Sequence, residues 1–524
     1  MQKNNEVRDR MEPKKIIQSV GVISGFTLLS RVLGLARDVL MAGFFGTSLV
    51  MSAFVVAFTI PNLFRRFFGE GALSAAVVPV LVETREKEGD ASVWLLVNRV
   101  HSLLAVVLTL ITLAVILLAA IISPESEKTA AVLSLLQIMM PYMIFICLAA
   151  VSMGILNSFH HFAISAFAPS LLNILWIATL LFVVPNLGNT PEEKIRAVAW
   201  AVLLAGFLQW AVQWPVLRHF GWKPGFSTDW KNARVKKILL LMGPAALGMA
   251  AAQINVMIDK FLAMWVSAEA PAALFFSERL IYFPLGIFAT ALGTVLLPVF
   301  SGHAAREDHE QIRKGITDGL RHLLFIMIPA AVGLLVLARP IVQMIFEWKE
   351  FGADSTWMTA IALQCYAPGL IVFSLAKIFV PAFYAMQDTK TPVKIGACAV
   401  ALNLLLNITF ILTFPQAVKH AGIAFATVLS ATFSMVVLVL ILQRRIGKPD
   451  WKRVGASSVR AFGAAGVMAL VVLQVYALFP ALSKVGQIVS VLASIAAGGG
   501  VYFLSAALLK VPELSEIVNA LRRR

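Results

Sequence analysis

Apolar residues run through this chain in blocks of helix length separated by short polar stretches, and that pattern sets the first expectation. A helix rises about 1.5 Å per residue, so roughly 20 apolar residues match the hydrocarbon core of a bilayer. The pattern predicts about 14 such spans, at residues 17–45, 49–82, 92–122, 130–156, 161–185, 196–217, 235–266, 270–300, 316–338, 355–386, 391–414, 420–443, 456–479 and 485–509. Outer-membrane strands would alternate apolar and polar positions over about 10 residues, and these runs do not. The expected fold class is an all-α polytopic membrane protein.

Composition agrees with that reading. Hydrophobic residues make up 59% of the 524 and charged residues only 14%, with a mean hydropathy of +0.84. The net charge of +16 would suit nucleic acid if it formed a basic stripe interleaved with aromatics, but the basic residues lie in short stretches beside the spans. Nucleic acid is therefore not an expected partner. On alternate sides of the 14-span arrangement the lysines and arginines number 28 against 7, which predicts both termini in the cytoplasm. Residues 1–15 are polar and basic, and the apolar run behind them outlasts a signal-peptide core, so it reads as a retained first helix. Cys147, Cys365 and Cys398 lie singly in apolar runs and read as small packing residues.

Repetition organises the spans. ALSAAVVPVL (72–81) ends the second span and ALGTVLLPVF (291–300) ends the eighth, aligned without a gap, and a charged helix pair surrounds each copy. The simplest inference is two parallel six-helix lobes, 1–220 and 230–447, then a two-helix appendage at 456–509 and a tail at 510–524. The connector 218–234 is aromatic and reads as an interfacial anchor, while 303–315 and 511–524 read as amphipathic surface helices, either facing anionic lipid or simply solvated.

Charge inside the spans is the anomaly. Arg31, Arg37, Asp38, Arg65, Arg66 and Glu70 fall in the first two, and Glu278 and Arg279 in the eighth. Buried arginine is costly in a bilayer, so such groups face a wet cavity, one another or a substrate. Five arginines exceed three carboxylates by two, provided that Asp259 and Lys260 cancel each other. Snorkelling by Arg65 would reduce the excess to one, and internal ion pairing is the alternative account. Guanidinium forks suit phosphate, so the implied ligand is a phosphate or pyrophosphate. Pro61, Gly69 and Gly71 weaken the second helix beside these charges.

A second polar set comprises Asn255 and Asp259 in the seventh span, Asn403 and Asn407 in the eleventh and Thr427 in the twelfth. It could hold sodium or a proton, or form an interhelical hydrogen-bond network with Asp259 paired to Lys260. No cofactor is expected, and neither a Walker loop nor a nucleophile elbow nor a zinc-protease motif occurs, so the chain does not read as an enzyme.

SRVLGLARD from Ser30, PNLFRRFFGEGALSAAVVPV from Pro61, SERLIYFPLGIFATALGTVLLPVF from Ser277 and YAMQDTKTPVKIG from Tyr384 resemble the MurJ (MviN) family. These are lipid II flippases of the multidrug/oligosaccharidyl-lipid/polysaccharide exporter superfamily. The resemblance implies alternating access between two lobes that carries an undecaprenyl-pyrophosphate-linked peptidoglycan precursor from the cytoplasmic to the periplasmic leaflet of the bacterial inner membrane. It implies that Arg31, Arg37, Arg279 and the Arg65/Arg66 pair are substrate-binding cavity arginines, and that Asp38 and Glu70 are cavity or gate acids, with Glu278 in the same charged set. It also implies a lipid-tail groove on the last two spans. Relatives proposed to bind sodium carry a second carboxylate where this chain has Asn407.

A membrane potential negative inside would favour outward movement of two negative charges by about 2.3 kcal/mol per charge per 100 mV. The partners that the resemblance implies are lipid II or a similar polyprenyl-pyrophosphate lipid, membrane lipids and the peptidoglycan synthesis machinery. Three other readings stand beside this one: a flippase for another lipid-linked glycan, an ion-coupled exporter of small anionic or drug-like solutes, and a non-transporting scaffold.

Overall fold

The computed structural model describes residues 13–66, 72–159, 161–188, 190–479 and 483–522. Helices fill it, with no strand among the described residues. The protein is an all-α polytopic membrane protein. Among the described residues ten helical runs are long and apolar enough to cross a bilayer, and the pair Glu127–Met139 and Tyr142–Ser158, bent by 42°, makes an eleventh if it counts as one span.

The first compact unit comprises residues 1–45 and 49–253. Its helices are α1 (Pro13–Phe45), α2 (Leu49–Phe64), α3 (Ala72–Glu88), α4 (Asp90–Ile121), α5 (Glu127–Met139), α6 (Tyr142–Ser158), α7 (Ala163–Ala178), α8 (Pro191–Ala211) and α9 (Trp214–His219). The bend separates α5 from α6, where Pro141 cannot continue the backbone ladder of α5. α1 packs on α7, and α6 packs on α8. The latter approach is close because Gly206 faces Tyr142, where an added Cβ would stand 2.5 Å from the ring.

The second unit comprises 46–48 and 254–524, so the division falls within α10 (Ala233–Val266). Behind α10 come α11 (Ala270–Pro284), α12 (Thr290–Ala304), α13 (His309–Val336), α14 (Ala338–Phe346), α15 (Ala353–Ala385), α16 (Lys390–Thr413) and α17 (Lys419–Ile446). The last elements are α18 (Trp451–Leu478), α19 (Lys484–Leu508) and α20 (Pro512–Arg522). α15 packs on α11, α12, α13 and α17, while α18 and α19 pair and α18 lies on α13.

Two surface expectations are corrected. Residues 303–315 are not one amphipathic helix but solvated helix ends, the other reading of this stretch: α12 ends at Ala304, the chain turns with Glu307 at a φ of 57°, and α13 begins at His309 under an Asp308 cap. Trp222 of the connector is no interfacial anchor either. It is buried, with its indole N–H donating to Asn98 Oδ1 at 2.8 Å, because Asn98 in turn holds the Lys223 carbonyl and binds the connector to α4.

Candidate functional site

In the first unit the charges of α1 separate by depth. Arg31 is exposed, whereas Arg37 and Asp38, two turns on, are buried. Arg37 donates from Nε and Nη2 to Asp38 Oδ1 at 3.0 and 2.7 Å and from Nη1 to Asn173 Oδ1 at 2.9 Å. Its guanidinium carbon lies 4.6 Å from the centre of the Trp176 ring. Adjacent helix positions diverge by about 100°, so this contact needs a long planar side chain that folds back on its neighbour. Asn173 also donates to the Ser30 carbonyl at 3.0 Å, which couples α7 to the turn that presents Arg31.

Arg65 donates to Asn62 Oδ1 at 2.8 Å, and Arg66 to Gln253 Oε1 at 2.9 Å. Both side chains are half-buried, so neither is spent wholly on lipid-facing surface. Glu70 lies outside the described residues.

In the second unit the ion pairing differs from expectation. Lys260 does not cancel Asp259; its ammonium reaches Glu278 Oε1 at 2.8 Å, where the Tyr366 hydroxyl also donates at 3.3 Å. The cause is again the angle between helix neighbours, which sends Lys260 towards α11 and Asp259 elsewhere. Arg279 stacks over the Phe275 ring at 4.4 Å.

All five members of the second polar set converge. Asp259 accepts from Asn407 Nδ2 at 2.7 Å, from Thr427 Oγ1 at 3.0 Å and from Asn255 Nδ2 at 3.3 Å. Asn407 Nδ2 also donates to Asn403 Oδ1 at 2.8 Å, and Asn403 Nδ2 donates to Thr427 Oγ1 at 3.4 Å. Asp259, Asn403 and Asn407 are all buried. The Asn407 carbonyl oxygen is left without a donor, beside a carboxylate held by neutral groups. The carboxylate is thus satisfied by neutral donors across three helices, while a buried acceptor without a partner beside it is costly. Among the described residues no cluster of three or more His, Cys, Asp or Glu side chains could hold a metal ion.

Sequence reasoning missed Asn173, Trp176 and Tyr366 as members of these clusters. Asn173 carried a signal, a lone amide in an apolar span; the two aromatics carried none, being indistinguishable from packing residues until the fold set them beside a charge.

A profile of the lipid II flippase MurJ family matches residues 41–494. A lipid II flippase MurJ of Burkholderia cenocepacia is 35% identical over 471 residues, covering 87% of this chain and 89% of its relative. A probable lipid II flippase MurJ of Vibrio cholerae is 35% identical over 440 residues, covering 81% and 82%. Among solved structures, a lipid II flippase MurJ in an inward closed conformation superposes with a TM-score of 0.77 at 24% identity, covering 93% of this chain and 98% of the other. An inward-facing multidrug resistance MATE family transporter of the MOP superfamily gives 0.65 at 14% identity, over 80% and 94%, and so shares the fold.

Proposed function

The chain belongs to the lipid II flippase MurJ family, and we propose that it carries lipid II across the inner membrane from the cytoplasmic to the periplasmic leaflet by alternating access. The observation that carries the chemistry is the depth sorting on α1, where a buried Arg37–Asp38 pair fixes the helix that displays an exposed Arg31 within an apolar span. In this reading the pyrophosphate is held by guanidinium groups. The groups assigned to it are Arg31, Arg65, Arg66 and Arg279, with Arg37 as a buried support of α1. Guanidinium makes bidentate, charge-assisted bonds to phosphate oxygens, so anion binding neutralises groups that bare closure would desolvate at a cost.

Transport of this kind forms and breaks no covalent bond, and its driving force is the membrane potential together with one cation. Asp259 is the carrier of that cation, sodium or a proton, supported by its neutral hydrogen-bond shell and by the orphaned Asn407 oxygen. The α18–α19 pair takes the lipid tail, and both termini face the cytoplasm, in keeping with the 28 to 7 distribution of basic residues. Surrounding membrane lipids and the enzymes of peptidoglycan synthesis are the remaining partners.

The test is reconstitution of the purified protein in vesicles with lipid II in one leaflet. Flipping is expected to follow an imposed potential and to vanish in Arg31→Ala. In cells, depletion is expected to accumulate lipid II in the inner leaflet. Accumulation of a different lipid-linked glycan alone would overturn the assignment.

A further inference from the structure

In the second unit, α13, the linker 447–450 and the start of α18 border a solvent-open cavity of about 340 Å³ with a charged lining. The acids of that lining are already engaged. Glu310 pairs with Lys314 at 2.8 Å, and Asp318 takes Nη1 of Arg321 at 3.3 Å. Asp450 caps α18 by accepting from the Arg453 backbone N–H at 3.0 Å, and its own N–H donates to Thr317 Oγ1 at 3.1 Å, tying the linker to α13.

Three cations of the same lining, the side chains of Arg313, Lys448 and Arg453, make no hydrogen bond or ion pair among the described residues. Arg313 is nonetheless held in place. Its guanidinium lies against Gly447, where an added Cβ would stand 2.8 Å from Nη1, and the φ of 87° at that residue favours glycine as well. The lining sets Arg313, Lys314, Lys448 and Arg453 against Glu310, Asp318 and Asp450, so it keeps one positive charge in excess.

We propose that this cavity binds a phosphate group, with the planar fork of Arg313 taking two oxygens and Lys448 and Arg453 closing the site as flexible charges. The site is distinct from the arginines assigned to lipid II, and the proposal does not rest on that assignment. A phospholipid headgroup and a soluble phosphate share this chemistry. Exposed Trp451, Val459 and Phe462 on α18 offer apolar surface to a lipid entering from the membrane side.

The experiment uses the full-length protein in neutral detergent. Dioleoylphosphatidylglycerol and dioleoylphosphatidylcholine are compared by native mass spectrometry, and inorganic phosphate is titrated calorimetrically. The variant R313Q/K448Q/R453Q is set against K390Q/K394Q/R444Q, which removes equal charge where α16 begins and α17 ends. Phosphatidylglycerol or inorganic phosphate is expected to bind the wild type and the control alike, and at least tenfold more weakly to the site variant. Loss confined to phosphatidylglycerol identifies a lipid source, and loss confined to inorganic phosphate a soluble one. Equal binding by wild type and site variant with both probes overturns the proposal, as does an equal loss in the control. If the triple variant fails to purify, K448Q and R453Q singly are each expected to weaken binding about threefold, and no change in both overturns it too.

Discussion

Lys260 donates its ammonium to Glu278 at 2.8 Å, while its neighbour in sequence, Asp259, takes hydrogen bonds from Asn407, Thr427 and Asn255. One of the two charges is held by an opposite charge, and the other by neutral groups. Removing one partner of a buried pair leaves a charge without compensation and costs about 3 kcal/mol, more than removing both. Lys260→Met is therefore expected to lower the unfolding midpoint in detergent clearly more than Lys260→Met with Glu278→Gln. A double-mutant cycle measures the coupling, and additive effects would show that the pair carries none.

Asp259 yields the complementary prediction. Asp259→Asn keeps the shape and removes the charge, so folding is expected to persist while flipping loses its dependence on a sodium or proton gradient. Asn407→Asp adds a carboxylate beside the first, and a cation that stabilises the folded state through it should raise the midpoint as its concentration rises. The check is thermal unfolding in sodium chloride against choline chloride. A flipping rate in Asp259→Asn with unaltered gradient dependence would falsify the coupling role.

Arg31 and Arg37 should separate function from stability. Arg31 is exposed, so Arg31→Ala is expected to leave the unfolding midpoint within a few degrees of wild type and abolish flipping in vesicles. Arg37→Ala takes the guanidinium away from Asp38 and from the Asn173 oxygen in a buried site, and a loss of about 3 kcal/mol is expected. Equal stability in the two variants would place Arg37 at the substrate rather than beneath it.

What was legible in the sequence depended on contrast. Asn255, Asp259, Asn403, Asn407 and Thr427 stand out because polar groups at helical spacing in apolar spans must meet something, and the fold brings all five together. Long spans were legible for the same reason. The wide π turns at Thr179–Val183 and Leu285–Ala289 were not, because no residue type marks an extra backbone position within an apolar helix. Pair identity was also hidden. Asp259 and Lys260 look self-cancelling in one dimension, and only the helix angle sends them apart. The tail from 511 was read for its basic residues, whereas its acid Glu513 is the group that is wholly buried.

The turn at Asp388 sets a pH dependence. Gln387 takes a φ of 59° after α15, and Asp388 then caps α16, accepting from the Thr391 N–H at 2.9 Å and the Thr391 hydroxyl at 2.5 Å, and pairs with Arg445 at 2.5 Å. Burial pushes this carboxyl up, but the bonds from Thr391 and Arg445 outweigh it and bring the pKa from 3.8 down to about 2. A lowered folded value stabilises fully above the unfolded one, and that stabilisation is lost as pH falls from about 4 towards 2. Asp388→Asn keeps a capping oxygen without the charge. The gap in midpoint between wild type and Asp388→Asn is expected to be constant from pH 7 to 5 and to close below pH 4.

The last prediction concerns the terminal helix. Arg321 of α13 is 3% exposed and Glu513 of α20 is fully buried, and they meet at 2.5 Å while Ser457 of α18 donates to the second Glu513 oxygen at 2.7 Å. Glu516 takes another nitrogen of the same guanidinium at 3.0 Å. One arginine thus ties α20 to α13, and Glu513 ties both to α18. Glu513→Ala leaves Arg321 with only the partly exposed Glu516 and Asp318, and a loss of about 3 kcal/mol is expected, against well under 1 kcal/mol for Glu516→Ala at the rim. Hydrogen exchange should localise the effect, with faster exchange in α20 and at the adjoining ends of α18 and α19. Unchanged exchange at those ends would mean that α20 rests on the helices without holding them.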